Sequence, residues 1–535
     1  MIATKGRENK MQKPNRMVKK KMKLENIPTI RDLLDVAPAK HNDRPFIKFL
    51  RDGEIKEKKF SEVRRDGLAF CRKLRHDLPE GAHVAIFSKS TYEYIVAMTG
   101  VLVGNFVAVP LDPDCTAEEA AEILKNADVC AVLHDGDFLD RIEAVKTLCP
   151  AVQYTMNIGD LAAVEAVYEE FSATSVYSSL SDVPMHHTEC ALIIYTSGTT
   201  GDKKGVMLSS DALVANLMFK PYSDIVVRAD TILSVLPLHH IFCFITGYIG
   251  PLHIGNCVCL NGEMRDLFKN LLLFKPDQMR VVPMIAQALL ARIRAVQHKH
   301  PELSAKEAAA QITGGNLDLM LAGGAYLDPA LARAFDEMGI LLRQGYGMSE
   351  AGCKITVPDL DSSVDSVGRL MNIVDVRIVG GEIQVDTPCL MLGYYNNPEA
   401  TAEAITEDGW LRTGDIGYVD ETRQLFITGR LKNLIILSNG ENVSPEGIEN
   451  RYKANKLVAE VLVYAEKDRI VAAVYPDAEY AEQAGIADVR AELEAWTDQI
   501  NQTASPTQTV AKLIVRDTPL EKTSTGKIKR VQSDN

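Results

Sequence analysis

No apolar run in this 535-residue chain reaches the eighteen or more residues needed to cross a bilayer. The nearest candidate, residues 236–260, is interrupted by Pro237, His239, His240, Pro251 and His253, and reads instead as a buried helix and strand. No CxxC pair occurs among the ten cysteines, which speaks against a thiol-rich metal site and for core thiols in a reducing, cytoplasmic setting without disulfides. Cys257 and Cys259 are two apart on an expected strand and would share one face. An excess of cations is missing from nearly the whole chain. Residues 1–24 carry nine Lys or Arg and one Glu, a charge of +8 within a total of −13, which leaves −21 for the body. So acidic a body lacks the clustered cations that nucleic-acid binding requires. The basic tail also lacks a sustained apolar stretch, so it is neither a secretory signal nor a transmembrane anchor. It reads as a disordered solubilising arm, with peripheral membrane contact as the alternative. No internal repeat is evident.

What is present is a chain too long for one ordinary core, with 46% hydrophobic and 24% charged residues. Residues 83–135 read as a βαβ unit, with strands at 83–87, 106–110 and 129–133 and helices at 92–102 and 117–127; alternation of this kind implies a largely parallel sheet covered on both faces. A second alternation follows, with strands at 232–235, 257–260, 279–282 and 319–322. Residues 374–427 read as a small β-rich subdomain, and 433–535 as an α+β unit with helices at 446–453 and 489–500 around strands at 459–463 and 470–474. The interval 160–190 shows no clear periodicity and is expected to form surface connections.

The most informative stretch is Tyr195-Thr196-Ser197-Gly198-Thr199-Thr200-Gly201-Asp202-Lys203-Lys204-Gly205, directly after the apolar Ala191-Leu192-Ile193-Ile194. It reads as a strand running into a phosphate-cradling loop, because glycines let backbone N–H groups turn toward an anion, hydroxyls donate, and a lysine supplies charge. It is not a Walker A loop, whose Gly, four residues, Gly-Lys and hydroxyl spacing is absent. Three further segments decide the chemistry: Gln344-Gly345-Tyr346-Gly347-Met348-Ser349-Glu350, Trp410-Leu411-Arg412-Thr413-Gly414-Asp415, and Thr523-Ser524-Thr525-Gly526-Lys527-Ile528. Any one alone would be weak; a lone Asp after Gly is usually turn chemistry.

In this order, over residues 30–530, the four segments resemble the adenylate-forming superfamily of acyl-CoA synthetases, carrier-loading adenylation domains and firefly-type luciferases. The resemblance implies an α/β fold: a large N-terminal domain of αβ-layered subdomains plus a small β-rich subdomain, followed by a small mobile α+β C-terminal domain. The expected division is 1–24 tail, 25–431 ATP- and acyl-binding domain, and 432–535 mobile domain. By resemblance, Thr196, Ser197, Gly198, Thr199, Thr200, Gly201 and Lys204 hold the β- and γ-phosphates of ATP. Tyr346 stacks on adenine beside Gly347, Ser349 lies near the phosphates, and Glu350 holds Mg²⁺, a hard cation whose other oxygen ligands ATP supplies. Gly323, Gly324 and Ala325 let backbone approach adenine and the acyl carbonyl, Asp415 accepts the ribose hydroxyls, and Arg430 contacts ribose or phosphate. His240, closing Pro237-Leu238-His239-His240, lies beside the carboxylate, while Ile241-Phe242-Cys243-Phe244-Ile245 with Gly247, Tyr248 and Gly250 lines an acyl tunnel. Lys432 is the hinge. Lys527 reaches the substrate carboxylate and α-phosphate, so that Lys527, Glu350, Lys204 and His240 form the catalytic set. Family members usually have proline where this chain has Lys203, which alters loop stiffness and adds charge.

The resemblance further implies an acid–thiol ligase that uses ATP and Mg²⁺ with coenzyme A as co-substrate. The segments Leu434-Ile435-Ile436-Leu437-Ser438-Asn439-Gly440 and Pro519-Leu520-Glu521-Lys522-Thr523 look most like bacterial long-chain acyl-CoA synthetases, which assigns a medium- or long-chain fatty acid. One alternative keeps adenylation but loads a separate acyl carrier protein, since no carrier-like segment is fused. Another is a catalytically silent nucleotide-binding module, which the presence of Lys527, Glu350 and Asp415 disfavours.

Overall fold

The computed structural model describes residues 29–173, 185–186, 189–197, 203–218, 230–437, 442–466, 469–521, 528 and 530. The basic tail, Gly198 to Asp202 and Lys527 lie outside the described residues.

Two seven-stranded sheets form the body. One runs in the order Leu341–Gln344, Leu319–Ala322, Gln278–Val281, Thr231–Ser234, Cys257–Leu260, Pro45–Arg51 and Glu54–Lys59. All its pairings are parallel except the last. The other runs Gly393–Tyr394, Lys203–Ser209, Cys190–Ser197, Val107–Pro110, His83–Phe87, Ala131–His134 and Tyr154–Asn157. It is parallel from Cys190–Ser197 onward, with an antiparallel pair added at its edge. The short strands are buried at every position in Val107–Pro110, Ala131–His134, Gln278–Val281 and Leu319–Ala322, as expected where helices cover both faces of a sheet.

Helices follow from local chemistry. Thr116 and Glu119 form a capping box that starts Ala117–Asn126, whose buried stripe is Ala120, Ala121, Ile123 and Leu124. Tyr92–Val103 is buried all round. It crosses Phe60–Asp77 where side chains are smallest: a Cβ on Gly100 would sit 2.9 Å from the Cys71 nitrogen, and one on Gly67 2.6 Å from Thr99 Cγ2. The apolar 236–260 region folds as Ile241–Phe244, a π-turn at Ile245–Ile249, Gly250–Ile254 and the strand Cys257–Leu260, matching the expected helix and strand. No helix among the described residues is long and apolar enough to cross a membrane. All ten cysteines are free.

One expectation fails. The interval taken for surface connections contains the helix Leu161–Ala173, which packs Val164, Val167 and Phe171 into the core. Its apolar residues fall on one face, but the alanines and the acidic residues Glu165, Glu169 and Glu170 interspersed among them blur the period.

The β-rich subdomain is a four-stranded antiparallel sheet, ordered Asp375–Val379, Glu382–Asp386, Leu411–Val419 and Leu425–Arg430. After the turn Leu431–Asn433 comes a unit with its own core, which includes Ile448, Tyr452, Val461, Val463, Val474, Leu493 and Ile500. Its strands Val458–Glu466, Arg469–Pro476 and Val510–Val515 form one sheet, packed by Pro445–Lys453 and Val489–Thr503.

The buried Asp66 carboxylate, 0% exposed, accepts from the Tyr92 hydroxyl at 2.6 Å and pairs with Arg65 at 2.6 Å and Lys58 at 3.8 Å. Asp66→Ala would strand the buried Tyr92 hydroxyl, while the more exposed Arg65 and Lys58 can turn to water. It is expected to destabilise the N-terminal region by about 1–3 kcal/mol, measured as a lowered urea midpoint; an unchanged midpoint would contradict this account.

Candidate active site

In open α/β sheets, ligands gather in the crevice outside the carboxyl ends of the strands. Here the carboxyl ends of the two sheets meet: the turn after Thr231–Ser234 reaches the segment after His83–Phe87 through a hydrogen bond from Leu238 N to Ser90 Oγ at 2.9 Å.

The described residues that flank the expected phosphate loop lie on two antiparallel strands. Thr196 pairs with Lys204 and Ser197 with Lys203 across Cys190–Ser197 and Lys203–Ser209. Gly205 leaves room for the Tyr195 ring, which lies 3.0 Å from where a Cβ would stand. The Tyr195 hydroxyl donates to Asn126 at 2.5 Å, and Lys203 Nζ lies 3.9 Å from Glu119.

The Gly345 segment continues from the strand Leu341–Gln344, with Gly345 N donating to Ala322 O at 2.9 Å. Ile355 and Thr356 both donate to Tyr346 O, folding the segment back on itself. At Gly347 a Cβ would stand 1.6 Å from Cys353 O, so only glycine fits. Ser349–Ala351 then forms a single 3₁₀ turn that presents Glu350. The Gly323-Gly324-Ala325 turn lies alongside: Gly323 N donates to Val281 O, Gly324 has φ +78, and Ala325 O accepts from Gln344 Nε2 at 2.9 Å.

Two small constellations result. In the first, Tyr346 OH donates to Asp415 Oδ2 at 2.6 Å while Arg430 Nε binds Asp415 Oδ1 at 2.9 Å. Asp415 lies within the strand Leu411–Val419 rather than at a free turn, beside Gly414 at φ +69, and is 4% exposed. Burial and the adjacent Asp415 push the Tyr346 phenol well above its ordinary pKa, so it stays a donor. In the second constellation, Tyr394 OH donates to Glu350 Oε1 at 2.8 Å, and Lys204 Nζ lies 5.1 Å from the Tyr394 ring centroid. Glu350 Oε2 has no hydrogen-bond or ion-pair partner among the described residues, so one carboxylate oxygen is aimed while the other is left for a hard cation. This donor set fits Mg²⁺.

The His239 and His240 rings lie against each other, 4.1 Å between centroids and tilted by 50°. Burial, with the neighbouring His240, pushes His239 down to about 3, and burial lowers His240. Both rings are therefore neutral near pH 7. Lys432 is exposed in the turn Leu431–Asn433.

Tyr394 was not anticipated from sequence. It enters because Gly393–Tyr394 pairs with Lys203–Ser209, setting Tyr394 opposite Val206, two residues from Lys204. Only its place after Gly393 in an apolar run hints at a fixed position.

Comparison with known proteins follows the same outline. The AMP-binding enzyme family matches residues 34–395, and the AMP-binding enzyme C-terminal domain matches 432–535. The long-chain-fatty-acid–CoA ligase FadD15 of Mycobacterium tuberculosis is 26% identical over 437 residues, 74% of this chain and 72% of its own length. Human long-chain-fatty-acid–CoA ligase 1 is 27% identical over 464 residues, 74% of this chain and 66% of its own. Among solved structures, the anthranilate CoA ligase AuaEII in complex with anthranoyl-AMP superposes with a TM-score of 0.77 at 20% identity, covering 95% of this chain and 97% of that one. o-Succinylbenzoate CoA synthetase from Bacillus subtilis gives 0.71 at 22% identity, covering 94% and 98%. Both structural likenesses concern the fold.

Tyr394→Phe removes the hydroxyl that aims Glu350 but keeps the ring under Lys204. Loss of such a supporting bond typically costs ten- to a hundredfold in metal affinity. The half-saturating Mg²⁺ concentration for acyl-adenylate formation is therefore expected to rise by about tenfold or more; an unchanged Mg²⁺ dependence would detach Tyr394 from the site.

Proposed function

The chain belongs to the AMP-binding enzyme family, and on that premise we propose that it activates a carboxylic acid with ATP and passes the acyl group to the thiol of coenzyme A. The observation that supports this reading is that one short segment carries both constellations, Tyr346 with Asp415 and Arg430, and Glu350 with Tyr394 and Lys204.

In the first step a carboxylate oxygen attacks the α-phosphorus, the bond to pyrophosphate breaks, and acyl-AMP forms. In the second, a thiolate attacks the acyl carbon and AMP leaves. No protein nucleophile is needed, because the mixed anhydride already carries a good leaving group; positioning and charge stabilisation are the protein's part. Thr196, Ser197 and Lys204, with Gly198, Thr199, Thr200 and Gly201, hold the outer phosphates. The Tyr346 face and the Gly323-Gly324-Ala325 backbone bound adenine, with Gly347 and Ser349 at the turn toward the phosphates. Asp415 is held by Tyr346 and Arg430, and a carboxylate so fixed accepts the ribose hydroxyls without having to reorient. Glu350 would hold Mg²⁺, which when bound neutralises phosphate charge. His240, neutral at pH 7, lies beside the incoming carboxylate without trapping it as an ion pair. Lys432 is the hinge for residues 432–535, and Lys527 on that unit stabilises charge at the α-phosphate during adenylation.

A medium- or long-chain fatty acid is the acid class that the names of the curated relatives favour. Ten free thiols fit a reducing compartment, and we place the protein in the cytoplasm.

Acid-dependent pyrophosphate release across fatty, aryl and amino acids, followed by addition of coenzyme A, tests the assignment. If no acid releases pyrophosphate, the reading is wrong. Lys527→Ala is expected to slow acyl-AMP formation by about a hundredfold or more, while thioester formation from supplied acyl-AMP survives. Measuring the two steps separately checks this, and adenylation at the wild-type rate would make the terminal motif structural only.

A further inference from the structure

The sheet face that the 241–254 helical segment covers is not wholly apolar. Arg280 pairs with Ser234 on one side and Leu321 on the other in parallel ladders, so the three side chains share one face of the sheet. A Cβ on Gly247 would lie 3.1 Å from Ser234 Oγ, and one on Gly323 3.1 Å from the Phe242 ring, which places the helical segment directly over that face. Arg280 is 4% exposed. Its partner among the described residues is the neutral Gln278 side chain, at 3.0 Å, and its buried Nε has no hydrogen-bond partner.

A buried guanidinium is ordinarily matched by a carboxylate, because leaving it unmatched is costly. Among the described residues, the charged group within electrostatic reach of Arg280 is of its own sign: Lys354, four residues after Glu350, which also lies within reach of His253 at the end of the helical segment. Burial pulls Lys354 down to about 8 and Arg280 to about 10, and both remain largely cationic at pH 7. A purely hydrocarbon chain laid along this face would leave the charge of Arg280 unmatched.

We propose that the acid activated by this chain carries a second anionic group, in its simplest form the far carboxylate of an α,ω-dicarboxylic acid, and that Arg280 receives it with Lys354 beside it. This rests on the ligase reading above and on the 241–254 segment lining the acyl site. One carboxylate is adenylated; the other stays ionised and supplies the counter-charge that the sheet face lacks. A guanidinium is suited to this because its planar fork matches a carboxylate with two parallel hydrogen bonds. Arg280 and Lys354 thereby act as specificity determinants and take no part in the bond changes.

The test is acid-dependent pyrophosphate release by the full chain with three matched series of equal chain length: saturated monocarboxylic acids, α,ω-dicarboxylic acids, and the monomethyl esters of the diacids. Wild-type kcat/KM is expected to be at least roughly tenfold higher for a diacid than for its monoester or the plain acid, the effect of one charge-assisted contact. Arg280→Met is expected to bring that ratio close to one, and Lys354→Met to reduce it. The wild-type comparison needs no variant, so misfolding of either substitution leaves the result decisive. Equal or better turnover of monoacids and monoesters by the wild type overturns the second-anion proposal while leaving the ligase reading intact. Retention of the full preference in a folded Arg280→Met variant overturns the role of Arg280. Absence of pyrophosphate release with every acid in the series, together with release by none in the wider aryl and amino acid panel, defeats the ligase reading and this proposal with it.

Discussion

The Asp415 carboxylate is the point on which the candidate site hangs. One oxygen accepts from Tyr346, which opens the folded-back loop after Leu341–Gln344; the other holds Arg430, the last residue of Leu425–Arg430. A single buried acid therefore ties the parallel sheet, the four-stranded subdomain and the root of the C-terminal unit. Removing it would release a phenol and a guanidinium as well as the proposed ribose-binding group, so a structural contribution and a binding one cannot be separated by one substitution. Such sharing is economical where a loop must be positioned to fractions of an ångström, because the group that recognises a ligand is also the group that fixes the recognising geometry.

The second constraint is steric. Gly347 passes so close to Cys353 O that any side chain would collide, and Cys353 itself takes φ +117, where a non-glycine residue is strained. The strain is held by flanking hydrogen bonds, Cys353 N to Met348 O and Ile355 N to Tyr346 O. A backbone so over-determined presents Glu350 and Tyr346 with little freedom. That suits catalysis by preorganised charge more than by any reactive side chain.

These constraints decide what was legible beforehand. The βαβ units read correctly because short, wholly apolar strands such as Ala131–His134 and Leu319–Ala322 alternate with capped helices such as Ala117–Asn126, and both signals are local. The motif segments stood out because glycine spacing is visible in a single sequence. The helix Leu161–Ala173 did not, since its apolar stripe is diluted and its definition comes from packing on Phe60–Asp77. Tyr394 was invisible for a different reason. Its partner Glu350 lies 44 residues away, and the pairing exists only because a two-residue strand docks at a sheet edge. Arg280 was passed over as part of an apolar strand, for a lone charge in such a run has no period to betray it; what marks it is that its hydrogen-bond partner among the described residues is a neutral amide.

The lysine that stands in the usual proline position shows how topology can neutralise a departure. A second cation beside Lys204 would be expected to compete with it for phosphate, yet Thr196 and Ser197 pair with successive residues of the returning strand, so Lys203 and Lys204 project from opposite faces. Lys203 falls on the face of the Ala117–Asn126 helix and lies 3.9 Å from Glu119, while Lys204 faces Tyr394. On the Lys203 side the hairpin is also fastened by Tyr195 to Asn126, and the adjoining strand by Tyr395 to Asp128. The ion pair is half exposed and worth little by itself. Its effect is directional: it draws the extra charge toward the helix and leaves Lys204 as the cation of the Tyr394 and Glu350 constellation. A proline there would have stiffened the return strand through its fixed φ; here two tyrosine hydrogen bonds to the 126–128 turn supply that restraint from outside the loop.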